Sequence, residues 1–245
     1  GPTEVMLVDA EFQKNDAQTL VGMIKATGKK LTTIYISYAD PDAYFGLDVI
    51  TAAFPEAKVL ATPTTVADIK ASVEGKLGYW GPILGENAPE KTIVPEVFEG
   101  DKLAVDGEEI RITGLDGHDP RHTFLWVPSV KTVLGGVLVE ENEHLWIADR
   151  QTPASRQDWL KTLDQIAALE PARVIPSHFS GKSTETMDSV NFTRAYLLAF
   201  EEEAAKAADS TALIGAMKAR YPELEGGSQS LEIGAKVVKG EMKWP

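Results

Sequence analysis

Asp40 and Asp42, with only Pro41 between them, lie in a polar turn between a β-rich run and a helical stretch. Two carboxylates that close can face one cavity, where their mutual repulsion raises one pKa and yields a proton donor and a proton acceptor near neutral pH. Tyr38, two residues earlier, can donate a hydrogen bond to a developing oxyanion. His118 and His178 stand at loop bends much further along, and an imidazole with an ordinary pKa of about 6.5 can take or give a proton there. Each residue also has a plainer reading. Asp42 can cap a helix that begins near Tyr44, and either histidine alone can bond a backbone carbonyl. His122 reads as support for a site or as a surface group, and His144, beside Leu145-Trp146, as a core or cleft-edge histidine. The chain has no cysteine, which excludes thiolate zinc sites, disulfides and a cysteine nucleophile. Ser37, Ser129 and Ser177 lie in no Gly-x-Ser-x-Gly elbow, and no glycine-rich phosphate loop is present.

These residues need elements to hold them. Residues 4–8 read as a buried strand ending at Asp9, followed by a helix with Leu20, Val21 and Ile24 on its apolar face and Gly28 as its stop. Residues 31–37 form a second β-rich run, and a helical stretch passes through Leu47, Ile50 and Phe54. A short strand is predicted over 58–61 and a helix over 66–73. Strands alternating with helices imply βαβ units and parallel pairing. From about Gly75 to Pro95 the chain is rich in Gly and Pro without clear periodicity, which predicts an irregular lid or binding loop. Tyr79 and Trp80 in it can stack on a ligand or pin the loop to the core. Short strands over 102–105, 109–115, 123–127 and 131–134, with Asp106-Gly107 as a turn, predict an antiparallel meander. A strand-like run at 145–148, an amphipathic helix from Ser155 with Trp159, Leu163 and Ile166 on one face, a strand over 173–176 and a helix over 191–206 follow. No repeat or linker interrupts the chain, so a single domain spanning 1–245 is expected.

At 245 residues, with 43% hydrophobic and 25% charged residues, the composition is that of a soluble globular protein with a substantial core. No apolar run approaches the roughly 20 residues of a membrane helix. A formal net charge of −13 argues against nucleic acid or an anionic membrane surface as partner and says nothing positive about a substrate, since an acidic surface more often just keeps a protein soluble. No signal peptide is visible, and cytoplasm and periplasm suit the chain equally; its oligomeric state is not legible.

The segment Ser37-Tyr38-Ala39-Asp40-Pro41-Asp42-Ala43-Tyr44-Phe45-Gly46 is similar in position and frame to the Thr-His-x-His-x-Asp-His-x-x-Gly signature of metallo-β-lactamase-fold enzymes. In that signature imidazoles and a carboxylate from one loop hold one or two divalent metals and leave a position open for water. Here Tyr38 and Asp40 stand at the first two histidine positions, Asp42 matches the aspartate, Ala43 replaces the third histidine, and Gly46 matches the closing glycine. Asp9 resembles the family's structural aspartate. Gly117-His118-Asp119-Pro120-Arg121-His122-Thr123 resembles the Gly-His-Thr-Pro-Gly-x-Thr motif, and Ile175-Pro176-Ser177-His178 the Val-Pro-Gly-His motif. Val137, after Gly135-Gly136, falls where the family has a bridging aspartate. Strands that usually precede the one at 5–9 are missing from this sequence, or that sheet edge is covered otherwise.

The resemblance implies an αββα sandwich, two mixed sheets flanked by helices. It also implies a hydrolase acting on a small ester, lactone or amide through a remodelled site. In that site Asp40, Asp42, His118 and His178 hold one divalent metal (Zn²⁺, Fe²⁺ or Mn²⁺), or Asp42, Tyr38 and Asp40 activate water with none; Tyr79 and Trp80 are the expected substrate contacts. The alternatives are a non-catalytic small-molecule-binding relative and a metal-free lyase or isomerase using the same Asp/His set.

Overall fold

β-Branched and aliphatic runs of four to six residues, separated by amphipathic stretches, build the first half of the chain. The structure, a computed structural model, describes residues 1–244. These form two compact units, one of Gly1–Leu115 with Pro120–Ser129, the other of Asp116–Asp119 with Val130–Trp244.

In the first unit, β1 (Glu4–Val8), β2 (Lys30–Tyr35) and β3 (Lys58–Ala61) pair in parallel, connected by α1 (Lys14–Ala26), α2 (Pro41–Tyr44) and α3 (Leu47–Ala53). α4 (Pro63–Leu84) leads to β4 (Glu96–Val97), which adds to β3 in parallel and completes a four-stranded sheet. Its core holds Ile34, Tyr35, Ile36, Tyr44, Phe45, Leu47, Ile50 and Ile69, all buried. β5 (Lys102–Val105), β6 (Glu108–Thr113) and β7 (Phe124–Val127) then run antiparallel, as the predicted meander requires. Asp106 and Gly107 both take positive φ (49° and 83°), the backbone a tight two-residue hairpin needs.

Of the irregular segment expected from Gly75 to Pro95, the part through Leu84 is instead the second half of α4, while residues 88–95 carry no helix or strand. Thr62 caps that helix by accepting from the Thr65 N–H at 3.1 Å, Pro63 occupies its first turn, and Gly85 at φ 56° ends it. Gly78, inside the helix, and Pro82, in its last turn, both weaken it, and packing outweighs their low propensity. The Trp80 ring stands edge-on to Phe12 at 5.2 Å, and Phe12 stacks on Phe45 at 6.0 Å, fastening the helix to the core.

In the second unit, β8 (Thr132–Leu134) pairs in parallel with β10 (Arg173–Val174), and β9 (Glu140–Glu141) with β11 (His178–Phe179). α5 (Pro153–Ala168) opens on a reciprocal Thr152–Ser155 capping box, so Ser155 sits inside the helix it was expected to start. α6 (Met187–Lys206) packs on α5, β9 and α7 (Ser210–Arg220), and α8 (Ser228–Val238) packs on α7. The last two helices lie beyond the elements predicted from sequence. The strand expected at 145–148 does not form. The Trp146 N–H donates to the Glu140 carboxylate at 3.0 Å, a side-chain partner in place of a ladder. Among the described residues no helix is long and apolar enough to cross a membrane.

Candidate functional site

The turn carrying Tyr38, Asp40 and Asp42 is clamped to the exit of β1. Asp9, at φ 62°, accepts from the Ser37 N–H at 2.8 Å and from the Ser37 hydroxyl at 2.6 Å, fixing the backbone one residue before Tyr38. The Ala10 N–H donates to the Ala43 carbonyl at 2.7 Å, and the Gly46 N–H to the Glu11 carbonyl at 2.9 Å. Gly46 takes ordinary helical φ; its role is proximity, since a Cβ there would run into the Ala10 carbonyl oxygen. Asp9 and Gly46, which match the family frame, thus hold the two ends of the turn.

Inside it, the Tyr38 hydroxyl donates to Asp42 Oδ2 at 2.8 Å. Burial, and then the charges of Asp42, Asp9 and Asp40, push the Tyr38 phenol well above its usual pKa, so it stays protonated. Asp40 occupies the N-cap position of α2, but its side chain makes no cap bond. Its carboxylate is paired with the ammonium of Lys76 from α4, whose Nζ also donates to the Ala39 carbonyl at 3.0 Å. The Lys76 side chain is only 5% exposed and that of Asp40 16%. Tyr44 is fully buried, and its hydroxyl has no hydrogen-bond partner among the described residues. Burial, with Asp40 and Asp42 adding to it, raises that phenol too.

Lys76 is the residue that sequence reasoning missed. Its signal was an apolar stripe, Val66, Ile69 and Val73, whose next helical position holds a lysine. Ending the predicted helix at Val73 hid it.

The expected imidazoles belong to the second unit. His118 is exposed, and its Nε2 lies 2.9 Å from the Asp158 carbonyl and 3.1 Å from the Thr162 hydroxyl, both on α5. A carbonyl oxygen can only accept, so Nε2 carries the proton and offers no lone pair. His178 is half-buried on β11, in register with Glu140. Arg150, 1% exposed, pairs with Asp119 at 2.8 Å, donates to the Val137 carbonyl at 3.5 Å and lies over the Trp159 ring. His144 is buried with Nδ1 2.8 Å from the Tyr196 hydroxyl, a satisfied core histidine. Tyr79 and Trp80 stand on α4, with Tyr79 37% exposed and its ring edge-on to Trp80 at 4.9 Å. Among the described residues, no three His, Asp or Glu side chains gather so that they could hold a metal ion.

No curated protein matches the chain. Solved structures do. A metallo-beta-lactamase from Pontibacter korlensis is 16% identical with a TM-score of 0.57, over 80% of this chain and 83% of that one. The metallo-beta-lactamase DIM-1, in a structure exposed to ceftazidime, is 20% identical with a TM-score of 0.51, over 81% of each chain. TMB-1 is 21% identical with a TM-score of 0.52, over 80% of each. At these identities the likeness fixes the fold, an α/β sandwich of mixed sheets and flanking helices. The family model of the metallo-beta-lactamase superfamily matches residues 12–178, a span that runs from Phe12, just before α1, through the Asp-Pro-Asp turn to His178. This protein is therefore a member of the metallo-beta-lactamase superfamily.

Proposed function

We propose that the protein acts without a metal on a small ester, lactone or amide, using Asp42 and Tyr38 as its proton-transfer pair. The observation that carries this reading is the 2.8 Å bond from the Tyr38 hydroxyl to Asp42, formed within the turn that supplies metal ligands in the signature it resembles. Superfamily members typically bind zinc, but the residues here do not fit a bridged pair of ions. Ala43 and Val137 offer no donor atom, Asp40 is paired with an ammonium, and the Nε2 of His118 is committed to a carbonyl.

Without metal, Asp42 accepts the proton of an attacking water. As it becomes protonated, its own O–H can donate back to the Tyr38 oxygen, and the phenol proton turns toward the carbonyl oxygen on which negative charge develops. When the tetrahedral species collapses, Asp42 returns its proton to the leaving oxygen or nitrogen. Tyr79 and Trp80, on the helix that carries Lys76, are proposed as the apolar substrate contacts.

A second reading, a small-molecule binder without turnover, is supported by the closure of the same groups on one another: Tyr38 with Asp42, Lys76 with Asp40. Hydrolysis of p-nitrophenyl acetate and of simple γ- and δ-lactones, with and without EDTA, separates the two. Turnover should be insensitive to the chelator and fall by about 10²-fold or more in Asp42→Asn, the usual contribution of a general base. Turnover lost in EDTA and restored by Zn²⁺ would sink the metal-free mechanism. Lactone binding without turnover, unchanged in Asp42→Asn, would establish the binder.

A further inference from the structure

An ammonium is a costly group to bury, and nothing about helix packing asks for one at position 76. Val66, Ile69 and Val73 lead along α4 to a place that a leucine or methionine would fill with no charge to desolvate. Lys76 lies there nonetheless, with Nζ on the Ala39 carbonyl and on the Asp40 carboxylate. Two adjacent residues of one turn thus converge on a single positive point. Asp40 stands at a position where the resembled signature has a metal-binding histidine, and the neighbouring Asp42 accepts from the Tyr38 hydroxyl.

The second unit shows the same exchange independently. The buried guanidinium of Arg150 donates to the carbonyl of Val137, which replaces the bridging aspartate, and pairs with Asp119, the residue after His118. Each unit has at least one signature position without its ligand residue, and each has a buried cationic side chain bonded at or beside such a position.

We infer that the Lys76 ammonium is a built-in replacement for the metal ion, occupying the charge position beside Asp40 so that lysine and a divalent cation exclude one another there. This does not depend on whether the protein hydrolyses or merely binds its small molecule. Lys76 is a positioning residue: it gathers the Asp-Pro-Asp turn as an ion would, but it has no exchangeable position for water.

The test is zinc binding by the full chain, with Zn²⁺ alone as probe, read by equilibrium dialysis and metal analysis. Asp40→His restores the donor type of the signature while Lys76 remains; Asp40→His/Lys76→Met restores it and removes the ammonium, leaving no uncompensated carboxylate at position 40. Wild type and Asp40→His should take up no stoichiometric zinc. The double variant should bind at least about tenfold more tightly than Asp40→His, because a unit positive charge in contact with a divalent ion strongly opposes it. Equal zinc affinity in the two variants would show that the ammonium does not occupy the cation position and would overturn the inference, as would an equivalent of zinc in the wild type. Should the double variant fail to fold, Lys76→Gln in the Asp40→His background keeps a polar group for the Ala39 carbonyl and gives the same readout.

Discussion

Lys76→Met takes away the ammonium with which Asp40 pairs while the carboxylate stays mostly buried. Breaking one side of such a pair is far more damaging than replacing both, since the remaining charge keeps its desolvation penalty without its partner. The single variant should lose roughly 3 kcal/mol of unfolding free energy, whereas Asp40→Asn/Lys76→Met should return to within about 1 kcal/mol of wild type. Urea denaturation at neutral pH measures both. Equal losses in the single and double variants would mean that the ion pair is not what the lysine contributes. The carboxylates and Tyr38 were legible because they share one short turn; the lysine that meets Asp40 lies 36 residues from it, on a helix predicted to end before reaching it.

Two glycines test the elements that position the turn, in opposite directions. At Gly46 a Cβ would meet the Ala10 carbonyl and lie 2.8 Å from the Ala17 Cβ, both on the segment that follows β1. Gly46→Ala should therefore destabilise by roughly 2 kcal/mol or more, as overpacked sites do. Gly78 has open space around it and sits mid-helix in α4. Gly78→Ala should stabilise by roughly 0.5–1 kcal/mol and raise the Tm, the ordinary gain of alanine over glycine in a helix. A lower Tm for that variant would contradict the helical assignment of the region. Composition misled here because Gly and Pro counts suggested a loop, while the Phe12, Phe45 and Trp80 rings supply the packing that keeps the segment helical.

At the scale of the whole molecule, the buried His144 couples folding to pH. Burial lowers its pKa below 6.5, with Lys218 adding a smaller push in the same direction. The unfolded chain therefore takes up a proton near pH 6.5 that the folded chain still refuses. The stability contributed is present above that pH and is lost as pH falls toward the folded value. Unfolding free energy should drop between pH 7.5 and pH 5.5, and His144→Gln should flatten that slope whatever its absolute stability. An unchanged slope would show that other groups carry the acid sensitivity.

What the sequence determined by itself was local or periodic. The strand–helix alternation, the Asp-Gly hairpin and the frame from Tyr38 to Gly46 depend on neighbouring residues, so their physics is written in order along the chain. Superfamily membership followed from that frame together with Asp9 and the motifs at His118 and His178. Tertiary structure alone decided which cation meets Asp40, that the Nε2 of His118 is held by α5, that Arg150 reaches the carbonyl of Val137, and that His144 meets Tyr196. Each of these joins residues brought together by packing across separate elements, and no spacing rule relates positions whose distance along the chain is set by loops and helices between them.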